Sequence, residues 1–189
     1  GTGSGTFGSK TDFATGFSPQ AVAIGDLNLD GKPDLAVASY FSNAVSVLIG
    51  TGTGSFGART DYTTGALPSS VAIGDLNGDG RPDLMTKSAN SSSASRLLGT
   101  GTGSFGANTD LATGSGAGSV PIADMNGDGR LDAVTANSSS NSASVLLGDG
   151  AGGFAAKNDF PIVGTPVAAA IGDLNGAGAP DLVTANLSS

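Results

Sequence analysis

Asp75-Leu76-Asn77-Gly78-Asp79-Gly80-Arg81-Pro82-Asp83 is one of four versions of a single nine-residue pattern, and the other three stand at steps of 49 residues from it. They are Asp26-Leu27-Asn28-Leu29-Asp30-Gly31-Lys32-Pro33-Asp34, Asp124-Met125-Asn126-Gly127-Asp128-Gly129-Arg130-Leu131-Asp132 and Asp173-Leu174-Asn175-Gly176-Ala177-Gly178-Ala179-Pro180-Asp181. A fixed period of this length is the mark of a repeat architecture, and one such unit is too small to bury a core alone, so neighbours must stack.

Short apolar runs lie on both sides of each loop. Before it stand residues 21–24, 71–73, 120–122 and 169–171, rich in Val, Ile and Ala and closed by a Gly-Asp or Ala-Asp step, which read as a first strand. Pro121 removes a strand N–H from the third copy and predicts a break in its ladder. After the loop, residues 34–38, 83–87, 132–136 and 181–185 read as a second strand, and Ser- and Asn-rich turns lead to a third at 44–49, 94–98 and 143–147. A fourth is expected over 7–13, 56–62, 105–111 and 154–160, each opened by a phenylalanine after a glycine-rich turn. No helical apolar stripe is present. Four short strands per unit predict an all-β fold, a β-propeller of four-stranded antiparallel blades spanning 1–189 as a single domain or propeller segment.

The charge is concentrated in this pattern. All sixteen acidic residues are Asp, and eleven of them lie in the four loops. The net charge of -8 argues against binding a nucleic-acid backbone, which needs clustered Lys and Arg. The absence of Cys removes disulfides and thiolate metal sites, and the absence of His removes the usual acid–base group at neutral pH and any Ser-His-Asp triad. No apolar run reaches membrane-spanning length.

Positions one, three, five and nine of each loop carry oxygen-bearing side chains: Asp26, Asn28, Asp30 and Asp34; Asp75, Asn77, Asp79 and Asp83; Asp124, Asn126, Asp128 and Asp132. The backbone carbonyl at position seven, from Lys32, Arg81 or Arg130, offers one more donor. An oxygen-only set with three carboxylates suits Ca²⁺, whereas Mg²⁺ prefers a strict octahedron with several waters and zinc prefers nitrogen or sulfur. The fourth loop keeps Asp173, Asn175 and Asp181 but has Ala177 at position five, so three strong calcium sites and a weak or vacant fourth are expected. Position twelve is Val37, Thr86, Thr135 or Thr184 where an EF-hand would have Glu, and no helix flanks the loop, so this is a calcium loop within a β-hairpin. Three bound cations would cancel six of the eight net negative charges. One Asp-x-Asn-x-Asp-Gly could be only a hydrophilic turn; four in register, with acids at positions five and nine together in three, exceed what a turn requires.

Other residues recur at the same period. Phe7, Phe56, Phe105 and Phe154 are expected to anchor packing, and Asp12, Asp61, Asp110 and Asp159 to accept hydrogen bonds. Lys87 and Arg96 break the symmetry of the second unit and could form a basic patch or be an ordinary surface variation; Tyr40 and Phe41, unique to the first, are candidate contacts for a sugar or protein, against ordinary edge packing.

Val-Ala-Ile-Gly-Asp-Leu-Asn-Gly-Asp-Gly-Arg-Pro-Asp-Leu at 71–84, Ser-Val-Leu-Ile-Gly at 46–50 and Gly-Ser-Phe-Gly at 54–57 resemble the FG-GAP, or VCBS, repeats of integrin-α-like β-propellers, over essentially the whole chain. The resemblance implies calcium loops between the first two strands of each blade, a secreted or cell-surface setting and a binding role. Its members often have seven blades; four units depart from that.

The expected function is therefore a calcium-stabilised binding or adhesion scaffold for a glycan or an extracellular protein, not an enzyme. Alternatives are a structural spacer or assembly module, and a fragment of a polysaccharide-acting surface enzyme. The chain opens inside a repeat and ends after a second-type strand, leaving one third-type strand missing. Such a set implies a four-bladed ring with one thin blade, an open arc of a larger propeller, or a homo-oligomer that completes the ring; a truncated segment or an oligomer-completed ring is favoured over a free open monomer, which would expose an edge and a blade face.

Overall fold

A computed structural model describes residues 1–187. Its strands form meandering antiparallel sheets, one for each repeat. The first contains β1 (Pro19–Gly25), β2 (Asp34–Ser39), β3 (Ala44–Leu48) and β4 (Thr60–Thr63). The second contains β5 (Pro68–Gly74), β6 (Asp83–Ser88), β7 (Ser93–Leu97) and β8 (Thr109–Ala112). The third contains β9 (Ile122–Ala123), β10 (Asp132–Asn137), β11 (Ser142–Leu146) and β12 (Asn158–Pro161), and the fourth only β13 (Pro166–Gly172) and β14 (Asp181–Asn186).

Burial follows strand position. In the first three sheets the two central strands are almost wholly buried, which explains why their sequences read as continuous apolar or small residues instead of alternating. Leu84 pairs with Leu97, and Leu35 with Leu48, so large side chains meet across the central ladder. Two cores result. Leu27, Val45, Val47, Leu84, Leu97 and Phe105 form one, joining the first sheet to the second; Leu76, Met85, Val120 and Leu146 belong to the other, joining the second to the third. Fully burying each such Leu or Val contributes roughly 1.5–3 kcal/mol. The sheets thus stack through the apolar faces that the repeat predicts.

Three local features depart from regularity. The break expected at Pro121 is present: β9 has 2 residues where β1, β5 and β13 have 7. Residues 7–13, expected as a fourth-type strand, form none, and Phe7 is 86% exposed. A fourth-type strand is held by a third-type strand beside it, and among the described residues none lies beside this segment. Both ends of the stack are open. Val22 and Ile24 on β1 are 60% and 69% exposed, and β13 and β14 leave Val167 and Val183 exposed.

Candidate metal loops

Each aspartate-rich loop joins the first strand of its sheet to the second, and the same hydrogen bonds shape all four. The position-one carboxylate accepts the amides of positions five and six: Asp26 from Asp30 at 3.0 Å and Gly31 at 2.7 Å, Asp75 from Asp79 and Gly80, Asp124 from Asp128 and Gly129, Asp173 from Ala177 and Gly178. The position-three Asn oxygen also accepts the position-five amide. In the first three loops the position-five carboxylate accepts the amide of position seven, on Lys32, Arg81 and Arg130. Ala177 removes that bond from the fourth. The loop is a chain of side-chain-to-backbone turns, which is why it uses short Asp and Asn and no Glu.

Position nine has a different place. Asp34, Asp83 and Asp132 are fully buried. One oxygen of each accepts the amide of the position-two residue, Leu27, Leu76 or Met125, and the other accepts the amide of Gly50, Gly99 or Gly148, just beyond the third strand. This carboxylate therefore ties the loop to the far side of its own sheet. A Cβ on any of these glycines would collide with the carbonyl oxygen of Pro33, Pro82 or Leu131, so the close approach requires glycine. Asp181 keeps only the first bond, from Leu174 at 2.9 Å, with the Asn175 amide 3.5 Å from its other oxygen.

The electrostatics follow from this geometry. Burial pushes the Asp83 carboxyl above its usual range; the Gly99 and Leu76 amides pull it back, and the charges of Asp79 and Asp75 add to the rise. Asp124 and Asp173 are held below the ordinary carboxylate range, chiefly by the amides of Gly129 and Gly178. Asp30 also lies low: desolvation opposes the shift, but the Lys32 amide and ammonium, with Asn28, outweigh it. Lys32 pairs with Asp30 at 3.2 Å and Arg81 with Asp79 at 3.8 Å, exposed contacts of little energetic weight.

Among the described residues, no three acidic side chains are gathered tightly enough to form a metal cluster. The expected ligands are in the right loops, but their carboxylates are turned toward loop amides. The donor set nevertheless fits a hard cation. It is oxygen-only, each carboxylate oxygen retains lone-pair capacity beyond its amide bond, and the charges of Asp75, Asp79 and Asp83 are close enough to oppose one another.

The other recurring positions also have places. Ser46, Ser95 and Ser144 each donate to Asp61, Asp110 and Asp159 at 2.6 Å, and accept the amides of Gly16, Gly65 and Gly114 at 3.0, 2.8 and 2.9 Å. Sequence reading found the aspartates as acceptors but missed the serine relay, although the serines share the 49-residue period. Asp12, although on the same period, lies outside the serine relay and pairs with Lys10. Phe56 packs edge-on to Phe13 at 4.9 Å, and Phe105 to Tyr62 at 5.2 Å, as anchors should; Phe7 does not pack.

Lys87 and Arg96 form neither a basic patch nor an ordinary surface variation. Lys87 is fully buried and donates to the carbonyls of Ser88, Ser91 and Ser93, while Arg96 reaches the other way to the Gly152 carbonyl and Thr109. Their charges are spent on separate turns. Tyr40 and Phe41 form an edge-on pair at 5.0 Å in the short turn after β2, with Phe41 69% exposed.

Stacked four-stranded antiparallel sheets, each with one aspartate-rich loop between its first two strands, define an all-β repeat protein. The chain belongs to the FG-GAP-like repeat family, which matches residues 26–86, 87–135 and 124–184; the FG-GAP repeat itself matches 67–106. No curated protein matches it. Among solved structures it is similar to an Agrocybe aegerita lectin described as recognising non-reducing terminal N-acetylglucosamine, at 23% identity and a TM-score of 0.59, covering 85% of this chain and 45% of the lectin. It is also similar to a structure described as BBS1N in complex with ARL6DN, at 13% identity and a TM-score of 0.60, covering 91% and 51%. The chain thus spans about half the length of these structures, and the likeness is one of fold. Among the described residues no helix is long and apolar enough to cross a membrane.

Proposed function

We propose that the chain is a calcium-stabilised scaffold of the β-propeller type, related to the integrin-α-like repeats, which works at the cell surface or in the extracellular medium and binds a glycan or a protein without chemistry of its own. The observation that carries this reading is the fourfold recurrence of one oxygen-only loop with one hydrogen-bond frame, centred on Asp26, Asp75, Asp124 and Asp173. Asp, Asn, Asp and Asp at positions one, three, five and nine, with the carbonyls of Lys32, Arg81 and Arg130, would hold calcium in the first three loops. Asp173, Asn175 and Asp181 would hold it weakly in the fourth.

The ion would supply positive charge between carboxylates that otherwise repel, and would stiffen the hairpin that carries them. Extracellular calcium is concentrated enough to fill sites of modest affinity. Radially repeated turns then offer several similar contact points, of which the exposed Phe41 is one. Titration calorimetry with CaCl₂, followed by a glycan and matrix-protein screen of the loaded protein, tests both halves. Absence of calcium uptake would remove the first; binding to no glycan or protein would favour the spacer or assembly reading.

A further inference from the structure

We propose that Asn77 is a site of spontaneous deamidation, at which the Gly78 amide nitrogen closes on the Asn77 side chain and turns the second aspartate-rich loop from Asp-Leu-Asn-Gly-Asp into Asp-Leu-Asp-Gly-Asp or its isoaspartyl isomer. This loop belongs to the second repeat, which has a described repeat on each side. The reaction is one of the metal-free chain and requires no bound calcium.

The chemistry favours an asparagine whose successor has no side chain, because the attacking atom is the successor's own backbone nitrogen. Three pairs in the chain qualify: Asn77-Gly78, Asn126-Gly127 and Asn175-Gly176. In the first loop Leu29 takes the glycine's place, and its branched side chain crowds the approach to Asn28. Exposure would favour the later two pairs, since Asn126 and Asn175 are exposed and Asn77 is half-buried. The hydrogen bonds order them the other way. The Gly127 amide donates to Asp124 at 2.7 Å and the Gly176 amide to Asp173 at 2.8 Å. A carboxylate acceptor holds the proton that must leave the nitrogen before it can attack. Gly78 is exposed and, among the described residues, its amide meets no acceptor; the Asp75 oxygens take the amides of Asp79 and Gly80.

The Asn77 side chain is held ready by its neighbours. Its Oδ1 accepts the Asp79 amide at 3.1 Å, and its Nδ2 donates to Oδ2 of Asp79 at 3.1 Å. The Asp79 amide would stabilise the negative charge that develops on Oδ1 as Cγ becomes tetrahedral, as a backbone donor does for an oxyanion. The turn of the third repeat lies over the loop: a Cβ on Gly152 would stand 3.3 Å from Cβ of Asn77. Asn126 makes the same two bonds to Asp128, so the reacting groups of the second and third loops differ at the glycine amide.

Water and hydroxide are the only other reactants. Hydroxide takes the Gly78 amide proton, and the nitrogen forms a bond to Cγ of Asn77. The bond from Cγ to Nδ2 then breaks; the departing nitrogen takes a proton from water and leaves as ammonia, which restores hydroxide. Water opens the resulting succinimide at either carbonyl, giving aspartate or isoaspartate. Each product places a new carboxylate beside Asp75, Asp79 and Asp83, whose charges already oppose one another, and isoaspartate also lengthens the backbone by one carbon. Position three of this loop thus undergoes a slow, one-way change of charge.

The 189-residue chain, aged in warm, mildly alkaline buffer with chelator and shown by circular dichroism to stay folded, is digested at intervals and mapped by mass spectrometry. Asn77 should convert faster than Asn126 or Asn175 by on the order of tenfold, the factor that freedom from a charge-assisted hydrogen bond supplies. Peptides carrying the new acid should include an isoaspartyl form, detected with an isoaspartyl methyltransferase. Gly78→Leu copies Leu29, whose φ of 62° is close to the 71° of Gly78, so the variant should fold and should stop conversion at Asn77 while Asn126 and Asn175 age as before. Asn77→Asp should focus with the acidic form that accumulates in the aged parent. Conversion at Asn126 that equals or exceeds that at Asn77, an Asn77 that stays intact throughout, or a Gly78→Leu variant that converts at the parent's rate overturns the proposal.

Discussion

Oδ1 of Asp83 accepts the amide of Gly99 at 2.7 Å, across the 16 residues that contain the whole of β6 and β7. Its other oxygen accepts the amide of Leu76 at 2.9 Å, so one buried carboxylate fastens the aspartate-rich loop to the turn that follows the third strand. Asp83→Ala leaves two buried N–H groups unpaired, at about 1–3 kcal/mol each. We expect a loss of about 3 kcal/mol in urea denaturation run in chelator, so that metal binding does not contribute. A loss under about 1 kcal/mol would mean that water replaces the carboxylate.

Gly99 is confined from the other side. A methyl group there meets the Pro82 carbonyl and must displace the backbone that Asp83 holds. Gly99→Ala should therefore cost about 3 kcal/mol, at the upper end for overpacking. Gly127→Ala serves as the comparison: φ is 78° but nothing lies within 4 Å of the added carbon, so only the left-handed backbone is penalised, at roughly 1–2 kcal/mol. Equal losses in the two variants would show that the Pro82 contact relaxes freely.

Calcium should raise the melting temperature, because an ion that binds only the folded chain stabilises it by mass action. Calcium at ~100-fold its dissociation constant adds about 2.7 kcal/mol per site. Calorimetry should resolve three tight sites, and Asp128→Ala should reduce them to two while leaving the first and second loops intact. Four equal sites would contradict the weakness assigned to the loop with Ala177.

Lys87 should make stability rise with pH in the alkaline range. Burial pushes its ammonium down from 10.5 to about 8. Below pH 8 the side chain is charged in both folded and unfolded states, so the folded chain bears the whole desolvation cost. Between about 8 and 10.5 the folded state gives up its proton first and stability climbs; above 10.5 both states are neutral and the cost has gone. Lys87→Met removes the charge and keeps the volume. It should gain up to about 3 kcal/mol at pH 7, less whatever the three carbonyl bonds return, and should flatten the rise between pH 8 and 10. An unchanged pH profile in urea titrations would show that the three carbonyls compensate the burial in full.

How far the sequence could be read depended on how local each interaction is. The first and second strands and the loop between them lie within about twenty residues, and their pattern was legible, including the break at Pro121. The role of Asp34, Asp83 and Asp132 was legible only in part, since composition marks them as oxygen donors while their amide partner beyond the third strand is distant in the chain. The roles of Lys87 and Arg96 were not legible for the same reason: both lie on paired strands of one sheet, yet each side chain follows a turn that spacing does not reveal.

By itself the sequence determined the repeat, the all-β class and the positions of the oxygen-bearing loops, because period, strand length and side-chain chemistry are properties of neighbouring residues. Only the tertiary structure decided that the position-nine carboxylates are buried clamps, that residues 7–13 form no strand, and that Lys87 is buried while Phe7 is exposed. Those outcomes turn on which surfaces meet across tens of residues, and a side chain's burial is set by what packs over it, not by its own identity.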